Sequence, residues 1–124
     1  MDIYNLAKKL HIEADARRIV FLIETKQEKD TNALETVRSL FAGKSRDFIT
    51  AVDERNIILV KELKQNEDYE HMMKTAKVLL DTLNTEAMTR VNIAIGTIVN
   101  EIKDVSRSYK EAKMALEVGK IFEN

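Results

Sequence analysis

The stretch RRIVFLIE, residues 17–24, limits the fold more than any other part of the chain. In an extended backbone successive side chains point to opposite faces, so Ile19, Phe21 and Ile23 share one face while Val20 and Leu22 share the other. Both faces are apolar. A strand of this kind is stable only where both faces are covered, which places it inside a sheet with further layers above and below. As a helix the run would be far short of the roughly 20 apolar residues that cross a bilayer.

The rest of the chain supplies candidates for those layers. Ile3, Leu6, Ala7 and Leu10 recur at helical spacing ahead of the strand and predict a short amphipathic helix. After it, Asn32 and Glu35 have capping-box spacing, Leu34, Val37, Leu40 and Phe41 line one helix face, and Gly43 is placed to end the helix. DFITAV and IILVKEL, separated by DERN at residues 53–56, read as a hairpin on a four-residue turn. Asn66 is the expected cap of a long helix with Glu67 and Asp68 in its first turn. Its apolar stripe is Tyr69, Met72, Met73, Ala76, Leu79, Leu80 and Leu83. RVNIAIG gives a fourth strand with Val91, Ile93 and Ile95 on one face, and a last helix is expected to bury Val105, Tyr109, Ala112, Leu116 and Gly119.

This order predicts an α+β fold: a ferredoxin-like βαββαβ core with an antiparallel sheet and additional N- and C-terminal helices. Right-handed crossovers put both internal helices on one face of the sheet, and the terminal helices cover what remains. With no proline and no break in composition, the whole chain, 1–124, reads as a single domain, with 1–16 as leading helix and linker and 17–124 as core.

Composition narrows the function. Lys plus Arg number 20 against 21 Asp plus Glu, so no net field draws in a phosphate backbone, and no direct nucleic-acid contact is expected of this domain. The absence of cysteine removes disulfides, thiolate nucleophiles and thiolate metal sites, and fits a reducing, cytoplasmic compartment. The opening MDIYNLAKKLHIEADARR lacks the features of a signal peptide, and no membrane association is expected. His11 and His71 lack companions at metal-ligand spacing and read as ordinary histidines, with Glu67 and His71 a surface pair. Met72 and Met73 read as core filler, Tyr109 as a core or edge residue, DERN as a solvated turn, and Arg17 and Arg18 as solvated.

One stretch is more specific. In IAIGTIVNEIKDVSRSYKEAKMALEVGK a strand ends in Gly96 and feeds a helix carrying Ser108, Tyr109, Ala112, Ala115 and Leu116 as S-Y-x-x-A-x-x-A-L. This resembles the end of the GGDEF-like middle domain of the PucR and CdaR families of bacterial transcriptional regulators, and NLAKKLHIEADARRIVFLIE is similar to that family's beginning. In the related diguanylate cyclases the hairpin carries Gly-Gly-Asp/Glu-Glu-Phe. Glycines let backbone approach the nucleotide, and acidic groups help hold the divalent metal. The aligned positions here are Asp53, Glu54, Arg55, Asn56 and Ile57, a degenerate signature without glycine. Glu24 falls in the other metal-ligand region, and KSRD, residues 44–47, sits near the cyclases' RxxD inhibitory site with lysine for arginine.

The resemblance therefore implies a non-catalytic regulatory or interaction domain with no catalytic, cofactor-binding or metal-binding residues and no cofactor. The DNA-binding helix-turn-helix would lie outside this chain. The partners implied are a second copy, the remaining domains of the full-length regulator, and an effector of unspecified chemistry. The alternative is a divergent nucleotide-binding or cyclase-type enzyme domain. An RNA-binding module is disfavoured because the central strands offer only Phe21 as an aromatic.

Overall fold

The computed structural model describes residues 16–26, 32–41 and 46–123. The expected leading helix at Ile3 to Leu10, His11, Gly43 and Lys44 lie outside the described residues. The elements run β1 (Arg18–Thr25), α1 (Asn32–Leu40), β2 (Phe48–Ala51), β3 (Asn56–Glu62), α2 (Tyr69–Thr85), β4 (Val91–Ile95), a 3-10 turn (Ile102–Asp104), α3 (Val105–Glu117) and β5 (Phe122–Glu123). The strands form one sheet in the order β2-β3-β1-β4-β5, and every neighbouring pair is antiparallel. The domain is therefore α+β, with a five-stranded antiparallel sheet and, among the described residues, three α-helices.

β1 occupies the centre that its two apolar faces demand. It pairs with β3 from Arg18↔Glu62 to Glu24↔Asn56 and with β4 from Phe21↔Ile95 to Thr25↔Val91. On the first face Ile19, Phe21 and Ile23 join Ile57, Leu59, Val91 and Ile93 beneath α1 and α2. On the second, Val20 and Leu22 join Ile58, Val60 and Phe48 beneath α3. Each of these large side chains contributes about 2 kcal/mol by leaving water.

Several local expectations change. Asn32 is the first helical residue of α1 rather than its cap, and Ala33 takes the buried place expected of Leu40, which is exposed. Asp68, not Asn66, caps α2: its Oδ1 accepts from the His71 backbone N at 3.0 Å, and His71 Nδ1 lies 2.7 Å from the same oxygen. Asn66 belongs instead to a turn closed by Glu67 N to Lys64 O and by Lys64 N to the Glu67 carboxylate. Glu67 is thereby taken from the surface pair expected with His71. Within the α2 stripe Met72 is buried while Met73, 40% exposed, and Tyr69 face solvent.

Gly119 is not a packing residue. It is exposed, lies past the end of α3 with φ +79°, and closes the helix as its N–H meets Leu116 O while Lys120 N meets Ala115 O at 2.9 Å. This is a left-handed glycine cap, and it releases the chain toward the short edge strand β5, which sequence periodicity did not reveal. In α3 the buried residues are Val105, Ser108 and Ala112, with Tyr109 and Leu116 half-buried.

Arg17 and Arg18 are not solvated side chains. Arg17 Nη2 donates to the carbonyls of Lys64, Gln65 and Glu67 at 2.7, 3.2 and 2.8 Å, holding the turn that precedes α2. Arg18 is the first residue of β1 and only 1% exposed. A guanidinium carries five donors in a rigid fork, which suits the clustered carbonyls of a turn. No helix among the described residues is long and apolar enough to cross a membrane.

Candidate functional site

β4 ends at Ile95, but the chain does not leave β1 cleanly. Gly96 N donates to Val20 O at 2.9 Å, and pairing resumes where Arg18 and Val99 exchange two backbone hydrogen bonds. Val20 N sits in the interval, and the hydroxyl of Ser108 fills the gap, accepting from Val20 N at 2.9 Å and donating to Thr97 O at 2.7 Å. Gly96 is in contact with the Ser108 backbone, where a side chain would collide. The strand-ending glycine and the helix serine are thus two halves of one joint that seats α3 on the second face. Ser108→Ala is expected to cost about 2 kcal/mol, because a buried donor and an acceptor both lose their partner. An unchanged urea midpoint would contradict that joint.

Seated this way, α3 presents Tyr109, Lys113, Leu116 and Glu117, at helical spacing, beside the β2–β3 hairpin. Together with Leu22, Glu24, Val52, Asp53 and Asn56 they line a groove of about 270 Å³. The fold therefore brings Asp53 and Asn56 of the hairpin into one place with Tyr109 and Leu116 of the motif helix. Ala112 and Ala115 do not line the groove; Ala112 is buried against the sheet and Ala115 is half-buried.

The hairpin tip is held by its own first carboxylate. Asp53 Oδ1 accepts from Arg55 N at 2.8 Å, Asn56 N at 2.9 Å and Asn56 Nδ2 at 3.0 Å, and Oδ2 from Asn56 Nδ2 at 3.1 Å. The backbone N–H of Arg55 and the Asn56 amide hold its pKa below the ordinary aspartate value. Arg55 O in turn accepts from Thr25 N at 2.7 Å, which fastens the tip to the end of β1. Glu54 and Arg55 are exposed and Ile57 is buried in the first core, so neither Glu54 nor Ile57 reaches the groove.

Asp68 is held low as well, first by the His71 backbone N–H and then by its ring. A carboxylate whose folded pKa lies below its unfolded one adds stability above the unfolded value and loses it as pH falls through the folded value. Both contributions are therefore complete above about pH 4 and disappear in acid below it. Asp53→Asn should make the stability curve shallower below about pH 4; a curve parallel to that of the parent would contradict the assignment.

Glu24 stands on the second face, directly across from Asn56 of β3 and Asn92 of β4. Asn92 Nδ2 donates to Glu24 Oε1 at 3.3 Å. Sequence reasoning missed Asn92, Lys113 and Glu117. A polar residue at the second-face position of VNIAI was the available signal for Asn92, whereas nothing local marks the other two. Among the described residues no three His, Cys, Asp or Glu side chains gather as a metal-binding group. Asp47, the end of KSRD, lies away from this groove: its carboxylate accepts from Glu62 N at 2.8 Å and sits 3.1 Å from Lys61 Nζ.

The domain is thus an antiparallel α+β sheet with a glycine-ended strand, a helix joined to it on the second face and the β2–β3 hairpin at the rim of the groove. The model of the GGDEF-like domain family matches residues 2–118, and the chain belongs to that family. No curated protein and no solved structure matches the chain.

Proposed function

We propose that this GGDEF-like domain is a non-catalytic regulatory and interaction module of a PucR/CdaR-type transcriptional regulator, built on a ferredoxin-like βαββαβ core to which β5 is appended. It passes a signal to, or sets the dimer geometry of, a helix-turn-helix carried elsewhere in the regulator, and it works in the cytoplasm. The observation that carries this reading is the state of the signature hairpin: its first acidic side chain, Asp53, is consumed by the turn itself through Arg55 and Asn56. No glycine is present there to admit nucleotide backbone contacts. A carboxylate committed to three local donors is a poor magnesium ligand, since hard cations need oxygens whose lone pairs are available.

Incubating the chain with magnesium and labelled GTP or ATP tests the reading, with no cyclic product and no pyrophosphate release expected. Product formation would establish the alternative, a divergent nucleotide-binding or cyclase-type enzyme domain. Self-association is tested by sedimentation across concentration: a dimer at high concentration is expected, and a monomer throughout would remove the dimer-geometry role.

A further inference from the structure

The groove between α3 and the hairpin is lined by three carboxylates, Glu24, Asp53 and Glu117, and one ammonium, Lys113. Glu24 rises from the sheet, oriented by the Asn92 amide at 3.3 Å, and Lys113 stands on the helix wall. Among the described residues, neither Lys113 nor Glu117 is engaged in a hydrogen bond or an ion pair, and the Tyr109 hydroxyl likewise has no partner. Lys113 and Glu117 are four residues apart on one helix face yet do not pair. The apolar part of the lining is Leu22 and Leu116, with Val52 at the hairpin and the half-buried Tyr109 ring.

Size limits the occupant. About 270 Å³ is just under the roughly 300–1,000 Å³ of pockets for drug-sized ligands. A molecule of about ten heavy atoms fits within it. Asp53 is the weaker competitor for a cationic group, because its Oδ1 already accepts three local hydrogen bonds and its Oδ2 one. Glu24 has one oxygen, Oε1, committed to Asn92, so its charge is fixed in position and incompletely satisfied.

We propose that this groove binds a small zwitterion, a free α-amino acid with an apolar side chain, its ammonium held by Glu24 and its carboxylate by Lys113, with the side chain lying over Leu22, Val52 and Leu116. An α-amino acid carries its ammonium and carboxylate on one carbon, so a groove lined by a carboxylate, an ammonium and an apolar surface favours it over a ligand that carries either charge alone. The proposal deepens the regulatory reading by giving the domain an effector of defined chemistry, and it rests on that reading only for its biological role.

The test is titration of the whole chain with L-leucine, followed by backbone amide NMR, alongside 4-methylpentanoate, which lacks the ammonium, and 3-methylbutylamine, which lacks the carboxylate. L-leucine is expected to give saturable shifts at Leu22, Val52 and Leu116, and each half-ligand to bind at least about tenfold more weakly, the size of one charge-assisted hydrogen bond. Glu24→Gln should weaken leucine and the amine while leaving 4-methylpentanoate unchanged. Lys113→Met should weaken leucine and the acid while leaving the amine unchanged. No saturable shift at those amides, equal binding of all three probes, or indifference to both substitutions would overturn the site. Failure here with no nucleotide turnover removes only the amino-acid site, whereas turnover of GTP or ATP removes the regulatory reading whatever leucine does.

Discussion

Gly96→Ala is expected to destabilise the protein by about 3 kcal/mol, the upper end of the cost of forcing extra volume into a packed interior. The new Cβ would collide with the Ser108 carbonyl oxygen and sit 2.5 Å from its Oγ. Backbone cannot yield as a flexible side chain does, so α3 must lift from the second face. Lifting it breaks the bonds from Val20 N to the hydroxyl and from the hydroxyl to Thr97 O, and loosens Val105 and Ala112. A domain of this size should lose about 10 °C in melting temperature. The groove should open with it, because Tyr109, Lys113 and Leu116 ride on the same helix. A melting temperature within about 2 °C of the parent would refute the joint.

Asp47→Ala should cost a similar amount, about 3 kcal/mol. The Asp47 side chain is 0% exposed and that of Lys61 12%. Its Oδ2 lies 3.1 Å from Lys61 Nζ but accepts no well-aligned hydrogen bond, so that contact is chiefly electrostatic, while Oδ1 accepts from Glu62 N at 2.8 Å. Removing the carboxylate leaves a nearly buried ammonium without its counter-charge and a strand N–H without an acceptor, and each is costly in a dry interior. The ammonium also lies 5.8 Å from the centre of the Phe41 ring, which recovers only a small part of the loss. Asp47→Ala combined with Lys61→Met should be more stable than Asp47→Ala alone, because the unpaired charge is gone. Urea denaturation of the single and double variants measures this; additive losses would show that the pair is not coupled. Asp47 is thus a structural clamp between the start of β2 and the end of β3.

The sequence showed β1 as a central strand because alternation along residues 19–23 is a property of neighbours one and two places apart. The same short range made the hairpin, the long helix and the last helix legible, along with most of their buried residues. Where it failed, two local solutions competed. Asn66 and Asp68 are both good caps, and only Arg17, arriving from another element to bind the carbonyls of Lys64, Gln65 and Glu67, pulls the first of them into a turn. Tyr69 and Met73 fit an apolar stripe by spacing, yet both face solvent. β5 is too short for any periodicity to register.

The candidate site was legible in its pieces and not in its assembly. Gly96, Ser108 and Tyr109 stood out as a motif and Asp53 to Ile57 as a signature hairpin. Their meeting around Glu24 depends on α3 crossing the second face, and nothing in either segment specifies the other.

The chain's own pattern determined that it would form an antiparallel α+β sheet with a doubly buried strand, since burying apolar periodicity is decided within a few residues and summed along each element. Tertiary structure alone decided that the Ser108 hydroxyl would complete the hydrogen bonding of Val20, 88 residues away. It likewise decided that Asp53 would spend its carboxylate on its own turn, and that Glu24 and Lys113 would face one groove. Those outcomes are choices among partners distant in the chain, made by which polar groups remain unsatisfied once the apolar faces have closed.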